Sequence, residues 1–324
     1  MKKKNILLII GNGFDIELGL NTRYSDFIKS SIYERYEDEL QKMFSFKTNY
    51  DLEYDEEFNI FSYFRNVCKS QNWIDLEKEI GILATRKILV LAQNPERQIR
   101  LRVISTEPMM RSFEALRMCL NEYISELDIP AKKRNYASEL LKIIATEPRD
   151  NVQIVTFNYT SIDTASGLEI KVPVHHIHGK ISGGKESSLI LGVQDDIEID
   201  KSYSYLIKSH SPYYHSSRII DLLEEADEVI FFGHSLGETD YPYFSEFFKS
   251  QCRRIEPEKR KKIRIFTRDE NSRLDILYQL RIMNNKQTRM FFENADFALY
   301  RTFDKMDDHE INKYFSELIR DLSV

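Results

Sequence analysis

The amino-acid sequence predicts an α/β fold: a mainly parallel sheet covered by helices on both sides, with a helical insertion between the first and second strands. Two observations predict it. Residues 6–10 are continuously apolar, as in a strand buried on both faces near the middle of a parallel sheet. After Asp150, strand patterns alternate with helical patterns, which is typical of βαβ units. Because no internal repeat or low-complexity linker interrupts the sequence, we expect one elaborated domain over residues 1–324.

The region from about residue 24 to residue 148 is the predicted insertion, because helical periodicity dominates it. An acidic stretch at residues 51–57 predicts a solvated loop within this region. We expect the insertion to pack over the face of the sheet where a ligand would bind. Two apolar stripes carry the helical pattern: Tyr24, Ile28, Ile32 and Tyr36, and then Phe113, Leu116, Leu120, Tyr123, Ile124 and Leu127.

The second half of the chain supplies the remaining strands and their covering helices. The predicted strands are residues 152–156, 172–176, 189–192, 228–233 and 262–267. The predicted helices are residues 214–225, 243–252 and 271–283, and a final helix has one apolar face made of Ile311, Tyr314, Phe315, Leu318, Ile319 and Leu322.

The charge balance and the cysteine content exclude several classes of protein. With 46 Lys and Arg against 52 Asp and Glu, the net charge of −6 argues against a general nucleic-acid or anionic-membrane binder. Cys68, Cys119 and Cys252 are far apart, which argues against a disulfide framework and a structural zinc site. The apolar run at residues 6–10 is too short for a signal peptide, and no stretch reaches the ~18 apolar residues of a membrane span. We therefore expect a soluble cytoplasmic protein without a membrane partner.

A glycine-rich turn directly follows the first strand. Gly11 and Gly13 are followed by five residues and then Gly19, a spacing that differs from the dinucleotide fingerprint G-x-G-x-x-G and from the Walker A motif. Glycines at this position let backbone N–H groups approach a diphosphate, and the following helix adds its positive end. The alternative is a tight turn without a ligand. For Asp15, the functional interpretation is contact with ribose hydroxyls or participation in the chemistry, and the alternative is a cap of the helix that starts here.

Three further segments combine with this turn into a recognisable pattern. Together with residues 11–24, they resemble the AbiH family of phage abortive-infection proteins over essentially the whole chain. AbiH proteins are in turn distantly similar to sirtuins and sirtuin-like NAD hydrolases, so the resemblance implies a sirtuin-like, Rossmann-type core. The segments are residues 156–160, residues 176–179 and residues 232–237, and the sequence Trp73, Ile74, Asp75, Leu76 and Glu77 in the insertion also fits the family.

The resemblance implies an antiphage enzyme that hydrolyses NAD, as a substrate, to nicotinamide and ADP-ribose without a metal. By correspondence with the sirtuin motifs, Asn158 would hold a ribose hydroxyl or the attacking water, and His178 would be the general base. The resemblance is also compatible with a homo-oligomer and with a phage-derived trigger or regulatory partner. The implied contacts to the nucleotide are Gly11, Asn12, Gly13, Phe14, Asp15, Thr22, Thr156, Gly233, His234 and Ser235.

The sequence departs from the sirtuin pattern in two places. It lacks the paired cysteines of the sirtuin zinc module, which argues against protein deacetylation. Thr160 stands where the sirtuin pattern has an Asp that helps to recognise nicotinamide. This second departure favours an alternative, a non-catalytic module that binds NAD or ADP-ribose. The cluster His175, His176 and His178 has no Cys or carboxylate at ligand spacing, so we expect no metal site.

A serine hydrolase is the main rival interpretation. Residues 233–237 fit the pattern G-x-S-x-G with Ser235 as the nucleophile, and they follow a predicted strand. His309, beside Asp307 and Asp308, is the only later histidine, so the order of the catalytic residues is permissible. Against it, residues 237–242 interrupt the helix expected after such a nucleophile, and the Gly11 turn has no role.

Overall fold

The computed structural model describes residues 3–45, 60–70, 75–93, 95–129, 135–181, 188–214, 218–253, 256–257 and 260–323. The chain divides into two compact units. One combines Met1–Leu20, Asp128–His178 and Ser216–Val324, and we call it the sheet unit; the other combines Asn21–Leu127 and Gly179–His215, and we call it the helical unit. This division does not test whether residues 1–324 form a single domain, which stays a prediction.

The sheet unit contains a parallel sheet of six strands. Its spatial order is β3-β2-β1-β4-β5-β6, which is the doubly wound order of Rossmann-type folds. All five neighbouring pairs are parallel, which confirms the predicted α/β class. The strands are β1 (Ile6–Ile10), β2 (Val152–Thr156), β3 (Val174–His176), β4 (Glu228–Phe232), β5 (Lys262–Thr267) and β6 (Asp296–Arg301).

The register brings the ends of the central strands to one edge of the sheet. Ile10 pairs with Thr156 on one side and with Phe232 on the other, and Thr156 pairs with His176. Every residue of β1 is buried, as its continuous apolar run predicts. Because the strands are parallel, the loops that follow β1, β2, β3 and β4 all leave the same carboxyl edge.

Helices cover both faces of the sheet. Alternate residues of β1 point to opposite faces, so Ile6, Leu8 and Ile10 pack in one apolar layer and Leu7 and Ile9 in the other. The first layer contains side chains of α1 (Asn12–Leu18), α7 (Tyr136–Ile144), α8 (Ile162–Ser166) and α13 (Asp308–Leu322); the second contains those of α9 (Ile219–Glu225), α10 (Tyr241–Ser250), α11 (Glu270–Met283) and α12 (Thr288–Asn294).

Helices occupy the described chain between β1 and β2, where the insertion was predicted. Seven described helices lie between β1 and β2, but α1 and α7 belong to the sheet unit, and the helical unit also includes residues 179–215 from after β3. The first apolar stripe is divided between two helices, α2 (Tyr24–Ile28) and α3 (Ser31–Ser45). Ser30 lies between them, and its hydroxyl accepts a hydrogen bond from the Tyr33 N–H. The helices are α2 (Tyr24–Ile28), α3 (Ser31–Ser45), α4 (Ile60–Ser70), α5 (Leu76–Gln93) and α6 (Pro95–Ser125), with 3₁₀ turns at Lys201–Leu206 and Lys208–His210.

Some predicted elements are wrong or shifted. Residues 189–192 are not a strand: a single bridge joins Val193 to Ile207, and Gly192 turns the chain with φ +151°. Their apolar side chains are buried without a ladder of hydrogen bonds. The strand predicted from residue 172 begins at Val174, because Pro173 has no N–H to donate. The sequence patterns missed α12 and β6, and the acidic stretch at residues 51–57 lies outside the described residues.

In the part of the chain that the structure describes, no helix combines the length and the apolar character needed to cross a membrane.

Candidate functional site

The glycine-rich turn after β1 is hydrogen-bonded to the end of β4. The Gly11 N–H donates to the Phe232 carbonyl over 3.1 Å, and the Gly13 N–H donates to the Gly233 carbonyl over 2.8 Å. The Phe14 N–H closes the turn by donating to the Gly11 carbonyl over 2.9 Å. The structure thus brings together the segments predicted to meet. The amides predicted to face a diphosphate, however, already donate to backbone carbonyls.

The glycines are required by the close approach of two backbone segments. A Cβ atom on Gly11 would lie 2.6 Å from the Cα of His234, and one on Gly13 would lie 2.7 Å from the Cα of Gly233. Gly233 has φ +64°, and a Cβ there would lie 2.2 Å from the Phe14 nitrogen. The tight-turn interpretation therefore explains all three glycines, and any nucleotide contact at this edge would be additional to that role.

A buried polar cluster joins the turns after β1 and β2. The Thr160 hydroxyl donates to Oδ2 of Asp15 over 2.6 Å. The Asn158 side-chain amide donates to the Gly11 carbonyl over 3.1 Å, and its backbone N–H donates to the Thr156 hydroxyl over 3.1 Å. All four side chains are buried. Adjacent parallel strands end side by side here, which is why residues so distant in sequence meet.

Asp15 is neither a helix cap nor an exposed carboxylate. Gly11 is the N-cap of α1 and makes no side-chain cap, so the capping role predicted as one alternative for Asp15 is wrong. Burial raises the pKa of Asp15 to about 6, and the hydrogen bonds from Thr160 and Asn158 oppose that rise. The carboxyl group therefore titrates in the range where a small change of environment alters its charge.

Two buried histidines pack against the ring of Phe157. The ring of His178 lies 5.5 Å from the Phe157 ring, centroid to centroid, and the ring of His234 lies 4.5 Å from it. His178 follows β3 and His234 follows β4, so both come from the same edge of the sheet. The Phe157 ring therefore meets both imidazoles edge-on, a contact that the sequence did not predict.

His234 is a neutral imidazole. The Leu236 N–H donates to Nδ1 over 3.0 Å, which places the ring proton on Nε2, 3.5 Å from Oδ2 of Asp240. Burial lowers the pKa of His234 to about 3. The contact with Asp240 is therefore between a carboxylate and a neutral N–H group, and His234 does not exchange a proton near neutral pH.

The geometry around Ser235 does not resemble a nucleophile elbow. Ser235 is exposed, but the positive φ values fall on Gly233 and Leu236, and a 3₁₀ turn at Glu238–Asp240 follows before α10. Asp307 is paired with Arg301 at 2.8 Å, and Asp308 accepts from the Tyr136 hydroxyl over 2.6 Å. Among the described residues, no hydrogen bond links His309 to Ser235 or to either carboxylate.

A family model described as "Bacteriophage abortive infection AbiH" matches residues 7–257 of the 324. The chain belongs to the AbiH family. Family membership implies a role in phage abortive infection. The match extends from β1 past α10, so it includes the glycine-rich turn, the buried polar cluster and both histidines of this AbiH protein. No match to a curated protein or to a solved structure was found, and the similarity to sirtuins stays a prediction.

Within the AbiH chain, all but one of the predicted site residues lie in the sheet unit. The exception is Thr22, which lies in the helical unit. Two contributors were not predicted as site residues, namely Phe157 and Asp240. Thr160 was noted only as a departure from the sirtuin pattern, yet it is the hydrogen-bond donor to Asp15. In the described ranges, no three His, Cys, Asp or Glu side chains are grouped as metal ligands.

Proposed function

We propose that this AbiH protein acts in abortive infection by hydrolysing NAD to nicotinamide and ADP-ribose at the carboxyl edge of its parallel sheet. One observation carries the proposal: the Asn158 amide is hydrogen-bonded to the turn after β1, in a buried cluster with Asp15 and Thr160. The strand order supports it, because doubly wound sheets bind dinucleotides outside the carboxyl ends of the strands where the order reverses, here beside β1.

The proposed reaction is displacement of nicotinamide from the ribose by water. The bond between ribose and nicotinamide breaks, a bond from water oxygen to the ribose carbon forms, and one proton is released. His178 would accept that proton. The other histidine beside Phe157, His234, is too weak a base for this role, because burial lowers its pKa to about 3. Asn158 would orient a ribose hydroxyl or the water, and a buried carboxylate such as Asp15 would favour the positive charge that develops on the sugar.

We also propose that the protein works in the cytoplasm. Cys68, Cys119 and Cys252 are free thiols, which suits a reducing compartment. NAD as substrate is consistent with the same location.

The experiment that tests the enzyme is an assay of nicotinamide release by the purified full-length chain, beside Asn158→Ala and His178→Ala. We expect release by the unchanged protein and a loss of at least ~100-fold in both variants, the usual effect of removing a group that moves a proton or orients the reactant. His309→Ala is the matched control, since His309 is exposed on α13 and should leave release unchanged. Equal release by all four proteins, each with an unchanged melting temperature, would end the catalytic assignment.

A non-catalytic module is the second candidate, and the Thr160–Asp15 hydrogen bond favours it. A threonine there holds the carboxylate of the neighbouring turn and leaves no acidic side chain at position 160. Calorimetry with NAD and with ADP-ribose separates the two functions. Binding of either compound without nicotinamide release would support the module, and covalent labelling of Ser235 by a fluorophosphonate would support the serine hydrolase instead.

A further inference from the structure

Strand β6 forms an open edge of the parallel sheet. Among the described residues it pairs with β5 alone. Proteins normally protect an edge with a very short strand, a proline or charged side chains. The opposite edge is protected in this way, because β3 has three residues and follows Pro173. In β6, residues 297–300 are Phe, Ala, Leu and Tyr, and charged residues stand only at the two ends of the strand. β6 is therefore the edge that can accept another strand.

Two residues of β6 direct unpaired backbone groups away from the sheet. Successive residues of a strand turn their N–H and C=O groups to alternate sides. The Thr302 N–H donates to the Thr267 carbonyl of β5 over 2.8 Å, so even-numbered residues of β6 face β5 and odd-numbered residues face outward. Phe297 and Leu299 face outward, and within the described chain their backbone groups have no hydrogen-bond partner.

The free edge is closed at both ends. Arg301 is the next outward residue, but its N–H donates to Oδ2 of Asp307 over 2.7 Å and its carbonyl accepts from the Asp304 N–H over 3.2 Å. At the other end, Ala295 is the C-cap of α12, and its N–H donates to the Phe291 carbonyl over 2.9 Å. The unpaired N–H groups of the strand edge are therefore confined to the two outward residues in between.

We propose that a second copy of this chain pairs with this edge, with the two β6 strands antiparallel about a two-fold axis at Ala298. The axis is perpendicular to the sheet, so it places Phe297 opposite Leu299 of the partner subunit, and the same pair forms twice. The two residues of each pair exchange both N–H···O=C bonds, which uses every free group of the two outward residues. An axis at Phe297 would need the N–H of Ala295. An axis at Leu299 would need that of Arg301, and both N–H groups already have acceptors within the chain.

The side chains of the edge also match those of a second copy. Directly opposite residues of an antiparallel pair project from the same face, so the half-buried Phe297 of each copy would lie beside Leu299 of the other. The small side chain of Ala298 would lie beside its own equivalent at the axis. Phe292 extends the apolar surface next to this edge, since it is 46% exposed and its ring lies 5.4 Å from that of Phe297. A self-complementary patch of this kind is what an isologous dimer requires.

The mass of the chain in solution is the first test. Four backbone hydrogen bonds and two apolar pairs make a modest contact, so the dimer should depend on protein concentration. Sedimentation of the full-length chain over a wide concentration range should move from the chain mass of 38.4 kDa towards twice that value. A mass of 38.4 kDa at every concentration would overturn the proposal and leave the edge to a different partner.

Charged variants at the axis test the arrangement itself. Ala298→Lys and Ala298→Glu each place two like charges side by side, so each should weaken self-association at least ~10-fold. An equimolar mixture of the two variants should associate at least ~10-fold more tightly than either alone, because the mixed dimer joins opposite charges. Dimers that persist in both variants, or variants that fail to associate with one another, would overturn the proposed axis.

The matched controls are Ser316→Lys and Ser316→Glu, which introduce the same charges at an exposed position of α13. They should associate like the unchanged protein, alone and mixed. Leu299→Pro is a test without a charge, since it removes an outward N–H that has no acceptor within the described chain and takes away two of the four proposed bonds. Far-ultraviolet circular dichroism verifies that each variant is folded. A folded Leu299→Pro protein that dimerises as tightly as the unchanged chain would also overturn the proposal.

Discussion

Each unit of this protein buries a carboxylate, and the two are stabilised in different ways. In the helical unit, Glu77 accepts from Nζ of Lys208 over 2.5 Å, and both side chains are less than a tenth exposed. In the sheet unit, Asp15 is held by the Thr160 hydroxyl, and among the described residues it has no cationic partner. Burial raises the pKa of both carboxyl groups, but only for Glu77 does a neighbouring cation oppose the rise.

The difference separates a structural contact from a candidate functional one. The Glu77–Lys208 pair fixes the 3₁₀ segment after residue 200 to the start of α5, and its charges compensate each other. No cation compensates the burial of the Asp15 carboxylate, and its hydrogen bonds from Thr160 and Asn158 offset the cost only in part. Uncompensated groups with shifted pKa values are concentrated at functional sites, which agrees with the proposed role of the sheet edge.

Removal of the lysine should give the largest effect. Lys208→Met leaves Glu77 buried without its cation, and we expect a loss of about 3–5 kcal/mol in the free energy of unfolding. Urea unfolding measures it. The double variant Glu77→Leu with Lys208→Met should recover most of the loss, because it leaves no buried charge. A loss under ~1 kcal/mol in the single variant would mean that the pair is not a structural contact.

Substitution of Gly233 tests whether the sheet edge depends on backbone packing. In Gly233→Ala, the new Cβ would meet the Phe14 nitrogen at 2.2 Å, and φ +64° is unfavourable for alanine. We expect a loss of about 2–4 kcal/mol from strain and overpacking, measured by urea unfolding.

Gly237→Ala is the matched control for Gly233. Its Cβ would lie 3.4 Å from the Ser235 hydroxyl, and its backbone is in an ordinary conformation. Its unfolding free energy should change by less than ~1 kcal/mol. Similar losses in the two variants would show that the close approach between the turns is not required.

Neutralisation of Asp15 should act in the opposite direction to Lys208→Met. Asp15→Asn retains an oxygen acceptor for Thr160 and removes a charge that is costly to bury, so we expect a gain of about 1–2 kcal/mol at pH 7. If the same variant also lowers nicotinamide release, the carboxylate has been retained for function at the expense of stability. A loss of stability at pH 7 would contradict the assignment of Asp15 as an uncompensated group.

The pH dependence gives an independent test of the same carboxyl group. The folded-state pKa of about 6 exceeds the unpaired value of 3.8, so between these values the unfolded state loses its proton first. Asp15 therefore lowers stability as pH rises from about 4 to 6, and its contribution is constant above that range. The advantage of Asp15→Asn should be near zero at pH 4 and should reach its full size above pH 6. An advantage that is the same at both pH values would contradict this linkage.

Sequence patterns predicted the central strands well because burial on both faces leaves a continuous apolar run. They failed at residues 189–192, where an equally apolar run is buried without strand pairing, since burial alone does not distinguish the two. They missed β6, an edge strand whose side chains are mostly half-buried and show no clear alternation. Sequence patterns could not predict the order of the strands in the sheet, because that order depends on which strands, distant in sequence, pair with one another.

The site was partly predictable for the same reason. Asn158 and the Gly11 turn follow strands with strong patterns, so their meeting at one edge of a parallel sheet could be expected. The bond from Thr160 to Asp15 depends on the path of the chain after β2, and the pair of Glu77 and Lys208 joins residues 131 positions apart. No local pattern specifies such partners. The sequence predicted nucleotide contacts for Gly11, Gly13 and Gly233, whereas the structure explains these glycines by the close approach of two backbone segments.

The central position of β1 has a consequence for synthesis of the chain on the ribosome. β1 is made first, yet its neighbours are residues 152–156 and 228–232. At roughly 5–20 residues per second, the first neighbour emerges on the order of ten seconds later. During that interval a fully apolar strand has both edges unpaired. Nascent chains should therefore depend on chaperones early, and truncated chains that end before residue 152 should aggregate.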